Sequence, residues 1–262
     1  MNPQSSWKIM QGTINDHLVR LESDSGTKAL FKQPRDPSSF KLVEIANELI
    51  VNRLAREIEI PVSQTYVDYI EGKIGVVSII HSESNWGLIT TQNLQNKVIN
   101  MDLFKQLFAF DVWIANTDRA GRIDHVIVIF NGSEYSFYAI DHGHTLNGCT
   151  QGEIKWQKEN VHEHTRFSIN ALNHLSEPEI KSFDDLEPIV KKIEELQNGL
   201  IDNIVDETCL LVSRGRPQEE QQTLVTNCDV VKALLKCRRD NIRSWLRDWC
   251  CIKGKPLVLL NN

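Results

Sequence analysis

The sequence predicts an α+β chain in two lobes, a small strand-rich one followed by a mainly helical one. Three observations predict it. Up to about residue 80, strand-like runs surround a single segment of helical period. Asn131-Gly132 joins two short apolar runs near the middle, and everything after about Glu177 is mainly of helical pattern. At 262 residues the chain suits one to two domains. The expected division is 1–85 for the first lobe and 86–262 for the second.

In the first lobe, His17 to Gln33 reads as two strands around an Asp24-Ser25-Gly26 turn. A helix is expected from about Lys41 to Glu59. Its Leu42, Ile45, Ala46, Leu49, Ile50, Leu54 and Ile58 share one face, and Pro61, with no N–H to donate, stops it. QTYVDYI and KIGVVSII follow as strands joined at Glu71-Gly72, and the polar HSESNWGLITTQN reads as a connector between lobes. The second lobe opens with a helix over Asp102 to Asn116, a polar loop NTDRAGRID, and the strands HVIVIF and SEYSFYAID. Asn-Gly between them supplies the positive φ angles of a tight hairpin. The remaining helices are SFDDLEPIVKKIEELQNGLIDNIV and DVVKALLKCRRDNIRSWLRDW, separated by a polar loop from Ser213 to Gln222.

Composition excludes several classes. Hydrophobic residues at 41% and charged ones at 24% are those of a globular chain. With 29 basic and 35 acidic residues the net charge is −6, which disfavours binding led by a nucleic-acid backbone. No apolar run suits a membrane span, and MNPQSSWKIM lacks the apolar core of a signal peptide, so the expected location is the cytoplasm with no membrane partner. The cysteines Cys149, Cys209, Cys228, Cys237, Cys250 and Cys251 show no CxxC or zinc spacing and read as reduced helix residues.

The hairpin carries the chemistry. A two-residue Asn131-Gly132 turn pairs Phe130 with Ser133 and sets Asp141 opposite Arg122, diagonal to Asp124. Residues two apart in a strand share a face, so Asp124 and Asp141 point the same way. Asp118 lies just upstream. Three carboxylates gathered there repel one another unless a cation joins them, and such an oxygen-rich set suits Mg²⁺. A four-residue loop, NGSE, would shift this register. Read without a cation, the same residues are turn and capping aspartates.

These residues carry a resemblance. FDVWIANTDRAGRIDHVIVIF followed by YAIDHGHTL resembles the catalytic core of the HipA-like kinase family, distant relatives of protein and phosphoinositide kinases. IMQGTINDHLVRL is similar to its phosphate loop and next strand, KALFK to its lysine strand, and IANELIVNRLAREIEIPV to its Asn-Glu helix ending in a proline. VVKALLKCRRDNIRSWL is similar to its closing helices. The resemblance implies a two-lobed protein-kinase-like fold and an ATP- and Mg²⁺-dependent phosphotransferase acting on protein Ser/Thr. Alternatives are a small-molecule or phosphoinositide kinase, and a weakly active, kinase-shaped nucleotide-binding module.

It also implies roles. Lys32 contacts the nucleotide phosphates and pairs with Glu48; Lys28 on the same strand face competes for the assignment, and Glu44 stands one turn before Glu48. Gly12 and Thr13 open a loop over the phosphates, Asp118 orients the attacking hydroxyl, Arg119 holds that loop, and Asp141 binds the metal. The family's second metal ligand is an asparagine after the catalytic aspartate, and this loop has none there. Asp124 is the substitute by parity, with His125 next. His142 and His144 beside Asp141 read as capping or backbone-bonding residues rather than zinc ligands, since no HExxH-like spacing accompanies them. Trp86 is a candidate for the nucleotide base. Some family members pair with a DNA-binding antitoxin; no docking feature for such a partner is legible here.

Overall fold

A computed structural model of the chain describes residues 7–10, 17–34, 41–80, 85–88, 100–116, 119, 125–130, 134–146, 148, 176 and 179–252. Strands β1 (Trp7–Ile9), β2 (Leu18–Ser23), β3 (Lys28–Lys32), β4 (Gln64–Ile70) and β5 (Lys73–Ile80) form an antiparallel sheet in the order β1-β2-β3-β5-β4. Helix α1 (Lys41–Glu57) lies between β3 and β4 in sequence. A second antiparallel sheet holds β6 (Asn85–Leu88), β7 (Val126–Phe130) and β8 (Tyr135–Ala139), with α2 (Met101–Trp113) between β6 and β7. The rest is helical: α3 (Glu187–Glu195), α4 (Asn198–Ser213) and α5 (Gln218–Ile252).

Period-two alternation gives the first sheet two different faces. Val19 and Leu21 of β2, Ala29 and Phe31 of β3, Ile70 of β4 and Val77 of β5 close a small core on one side. Lys32 is on the opposite side, in register with Val76, which belongs to the main core together with α1. That main core runs without a break from α1 through α2, β7 and β8 to α3, α4 and α5. α1 is therefore packed on nearly all sides, and Glu44, Asn47, Glu48 and Asn52 are buried along with its apolar face. Four buried polar side chains on one helix need partners, and three of them find these partners in the candidate site.

α1 stops at Glu57, two residues before the expected end. Glu59 turns left-handed at φ 63°, and the Ile60 N–H donates to Ala55 O. α2 ends by the same device, with Ala115 at φ 51° and the Asn116 N–H donating to Asp111 O. A six-to-one bond of this kind satisfies a helix's last carbonyls before proline or a loop intervenes.

The structure corrects three further expectations. Phe130 pairs with Tyr135, not Ser133, so the hairpin loop spans four residues. The rings of Phe130 and Tyr135 stack with centroids 4.8 Å apart, and this cross-strand pair sets the register in place of the Asn-Gly preference. The shift is by two residues, so every side chain keeps its face. The polar connector contributes β6, which pairs with β7 and makes the hairpin the core of a three-stranded sheet. Cys209 and Cys228, expected as free thiols, form a disulfide between α4 and α5. Their spacing of 19 residues signals nothing by itself; the antiparallel packing of the two helices brings them together. Among the described residues no helix is long and apolar enough to cross a membrane.

Candidate active site

Lys32 ends β3 with its ammonium among three carboxylates. Nζ bonds Asp141 Oδ1 and lies 3.5 Å from Glu44 Oε1 and 3.6 Å from Glu48 Oε2. Lys28, the competing lysine, sits exposed at the other end of β3. Burial alone would lower the Lys32 pKa. Glu48, Asp141 and Glu44 outweigh it and hold the ammonium above its ordinary 10.5. For Glu48 burial is again the largest influence and would raise the pKa. Lys32, with the hydrogen bond of His142, wins and holds the carboxyl below 4.5. Glu44 and Glu48, one turn apart, thus share a single cation instead of repelling each other unrelieved.

Asp141 leaves the hairpin in a left-handed conformation, φ 62°, which aspartate tolerates better than most residues. The next two residues fit the same cage. The His142 N–H donates to Glu48 Oε2 at 2.7 Å. Gly143 has no room for a side chain: a Cβ there would come within 2.7 Å of Glu44 Cγ and 2.9 Å of Lys32 Nζ. The Asp-His-Gly order is therefore a packing requirement as well as a motif.

Arg119 is wholly buried and stitches three elements together. Its Nε donates to Asp111 Oδ2 of α2 at 2.5 Å, Nη1 to the carbonyls of His125 (2.6 Å) and Ile140 (3.1 Å), and Nη2 to His142 Nε2 at 2.8 Å. A guanidinium only donates, so His142 Nε2 is the acceptor and Nδ1 carries the proton, facing Glu48 Oε1 at 3.4 Å. Asp111 also accepts from Asn116 Nδ2 at 2.9 Å. Asp111 escaped sequence reading because it sits inside an apolar helical run. His125 is buried with Nε2 3.6 Å from Asp141 Oδ2. His142 thus joins α1 to Arg119, through its backbone N–H on one side and its ring on the other.

Asn47 was another silent position. From the middle of α1 its Nδ2 reaches the carbonyls of Gly143, Thr145 and Gly148. Its motif value was visible only as part of the Asn-Glu pair.

Lys32, Glu48, Arg119 and Asp141 are brought into one connected network. Asp118, Asp124, Gly12 and Thr13 lie outside the described residues, as does the side chain of Trp86. Among the described residues no group of three or more His, Cys, Asp or Glu is placed to hold a metal unaided. Mg²⁺ needs less, since one or two carboxylates suffice when phosphate oxygens complete its shell. One ammonium faces three carboxylates, and Asp141 retains partial exposure at 19% of its side chain. This donor set fits a hard divalent cation.

No family model and no curated protein sequence matches the chain. Among solved structures, that of the Helicobacter pylori proinflammatory kinase CtkA superposes with a TM-score of 0.59 at 13% identity, over 95% of this chain and 97% of that one. The chain has a kinase-like fold. Shewanella oneidensis HipA, solved with HipB and operator DNA as a toxin–antitoxin system, gives a TM-score of 0.39 at 11% identity, over 87% of this chain and 61% of that one.

Proposed function

We propose that the chain is an ATP- and Mg²⁺-dependent phosphotransferase of the HipA-like type that phosphorylates protein serine or threonine. The lobes of this proposal are residues 1–85 and 86–262, a division that falls inside β6. The single observation that carries the reading is the Lys32–Glu48–Asp141 cluster, set where a β-strand, a buried helix and a hairpin end converge. The kinase-like fold makes this the expected place for a nucleotide's phosphates, although fold alone never fixes function.

Phosphoryl transfer asks a protein mostly for positioning and for neutralisation of phosphate charge. In this reading Lys32 exchanges its bond with Asp141 for the nucleotide phosphates, and Glu48 keeps the ammonium aimed while that exchange occurs. Gly12 and Thr13 supply backbone N–H groups over the phosphates. Asp118 accepts the proton of the attacking hydroxyl as the new P–O bond forms and the bond to ADP breaks. Arg119, the next residue in the chain, anchors that aspartate's loop through Asp111 and the carbonyls of His125 and Ile140. Asp141 and Asp124 would hold Mg²⁺, which would offset the charge on the phosphate oxygens.

The experiment is transfer from radiolabelled ATP to a mixed protein acceptor, wild type beside Asp118→Ala and Asp124→Ala. The expected result is Mg²⁺-dependent labelling that Asp118→Ala abolishes and Asp124→Ala strongly lowers. Activity of wild-type level in Asp124→Ala would remove that residue from the metal site. A second reading is favoured by one feature, the missing asparagine after Asp118: a kinase-shaped regulatory module. It predicts nucleotide binding with no transfer to any acceptor. Labelling of a small molecule or phosphoinositide instead of protein would move the assignment to that acceptor class.

A further inference from the structure

We infer that Asn47 is a positioning residue that locks the segment after Asp141 onto α1, so that the carboxylate reaches the metal in a fixed orientation. The assignment rests on the phosphotransferase reading and names how its site is held together. Asn47 is fully buried, with Nδ2 3.2 Å from Gly143 O, 3.1 Å from Thr145 O and 3.2 Å from Gly148 O. Two hydrogens are thus shared among three carbonyls. Its Oδ1 meets no donor among the described residues, so donation is what this amide contributes.

The segment it grips follows a path that an extended chain does not take, with φ at 62° for Asp141, 56° for Leu146 and 103° for Gly148. For Asp141 and Leu146, which carry a Cβ, conformations of this kind persist only where surrounding contacts over-determine them. Adjacent residues of α1 provide those contacts. Glu48 takes the His142 N–H, Asn47 takes the carbonyls beyond it, and Glu44 packs against Gly143. One helix therefore sets both the lysine's carboxylate partners and the segment that begins at Asp141. Lys32 has a flexible stem and can follow a displaced Asp141, but Mg²⁺ tolerates little departure from octahedral geometry. Loosening the segment should act on the metal-dependent part of nucleotide binding and spare the metal-free part.

The test uses the full chain, comparing wild type with Asn47→Ala and with Asn47→Asp, an isostere that exchanges the donors for an acceptor. Asn47→Ser, which keeps one donor, carries the same comparison where either variant does not fold. Thermal unfolding establishes the folded state. Amide hydrogen exchange over residues 142–148 and affinity for a fluorescent ATP analogue, with Mg²⁺ and with EDTA, are then measured. Exchange there should accelerate, and the affinity gained from Mg²⁺ should drop about tenfold or more, the size seen when supporting contacts to metal ligands are lost. Affinity in EDTA should stay within about twofold, since these contacts act through the metal. Folded variants that keep wild-type exchange and the wild-type Mg²⁺ gain overturn the assignment alone. Equal losses with and without Mg²⁺ also overturn it, by making Asn47 a general stability residue. A wild-type protein that gains nothing from Mg²⁺ overturns the assignment and the phosphotransferase reading together.

Discussion

Two buried cations, Lys32 in the cage and Arg238 in α5, meet partners of different kinds. Arg238 is 3% exposed and donates to the carbonyls of Val112 and Trp113 at the end of α2, with its guanidinium 5.2 Å from the Trp245 ring. Those partners are partial charges: helix-end carbonyls and an aromatic face. They match one cation and leave nothing over. Lys32 instead meets three formal carboxylates, those of Asp141, Glu44 and Glu48. Burial costs both groups, yet their pKa values move oppositely. Arg238 is pushed down to about 10 by desolvation, whereas Lys32 is held above its ordinary value.

The largest expected effect comes from emptying the cage. Lys32→Met should lower transfer from ATP by about a hundredfold or more, read by labelled-phosphate assay. It should also cost about 3–5 kcal/mol in denaturant unfolding, because three buried carboxylates lose their cation. Reduction of Cys209–Cys228 comes next. Opening a cross-link across a 19-residue separation should cost about 3 kcal/mol, measured by unfolding with and without dithiol, with nucleotide affinity unmoved. Arg238→Met should cost about 2–3 kcal/mol, from the carbonyls left unpaired, with transfer per folded molecule unchanged. A drop in nucleotide affinity there would erase the contrast between the two cations.

Within the cage, Glu48→Gln should weaken transfer about tenfold and Glu44→Gln only a few-fold, since Glu48 also holds His142 and positions Asp141 through it. The smallest effects are those of pH on stability. Glu48, depressed below 4.5, contributes stability above that ordinary value and loses it as pH falls through the folded value. Lys32 contributes fully below 10.5 and loses its contribution as pH rises through its higher folded value. For Arg238 the sign reverses: its burial penalty is complete below about 10 and is relieved towards 12.5. Unfolding midpoints in alkaline buffers should therefore fall less steeply in Lys32→Met and more steeply in Arg238→Met than in wild type.

Local pattern made much of the fold legible. β4 and β5 fall on the residues that alternation marks, joined at Glu71-Gly72, and α1 begins at Lys41 as its apolar spacing requires. The candidate site was legible through the resemblance, which singled out a strand lysine, a helix glutamate, an arginine after the loop aspartate, and an aspartate before His-Gly. The contacts of Asp111, Asn47 and Gly143 were not, because an acid in an apolar helix or an amide in a buried one looks ordinary until its partner is seen. The hairpin register was misread because Asn-Gly is a local preference, while the Phe130–Tyr135 stack is a contact between strands.

The amino-acid order by itself determined most of the elements and the supply of charges, since helical and strand periods depend on neighbours a few residues apart. It also determined the lobed sequence of strands before helices. Only the tertiary structure decided that Lys32 meets Asp141 across 109 residues, that Glu48 takes the His142 N–H across 94, and that two distant cysteines join. The reason is physical: the strength of a buried charge pair depends on separation in space and on exclusion of water, and neither is encoded in spacing along the chain.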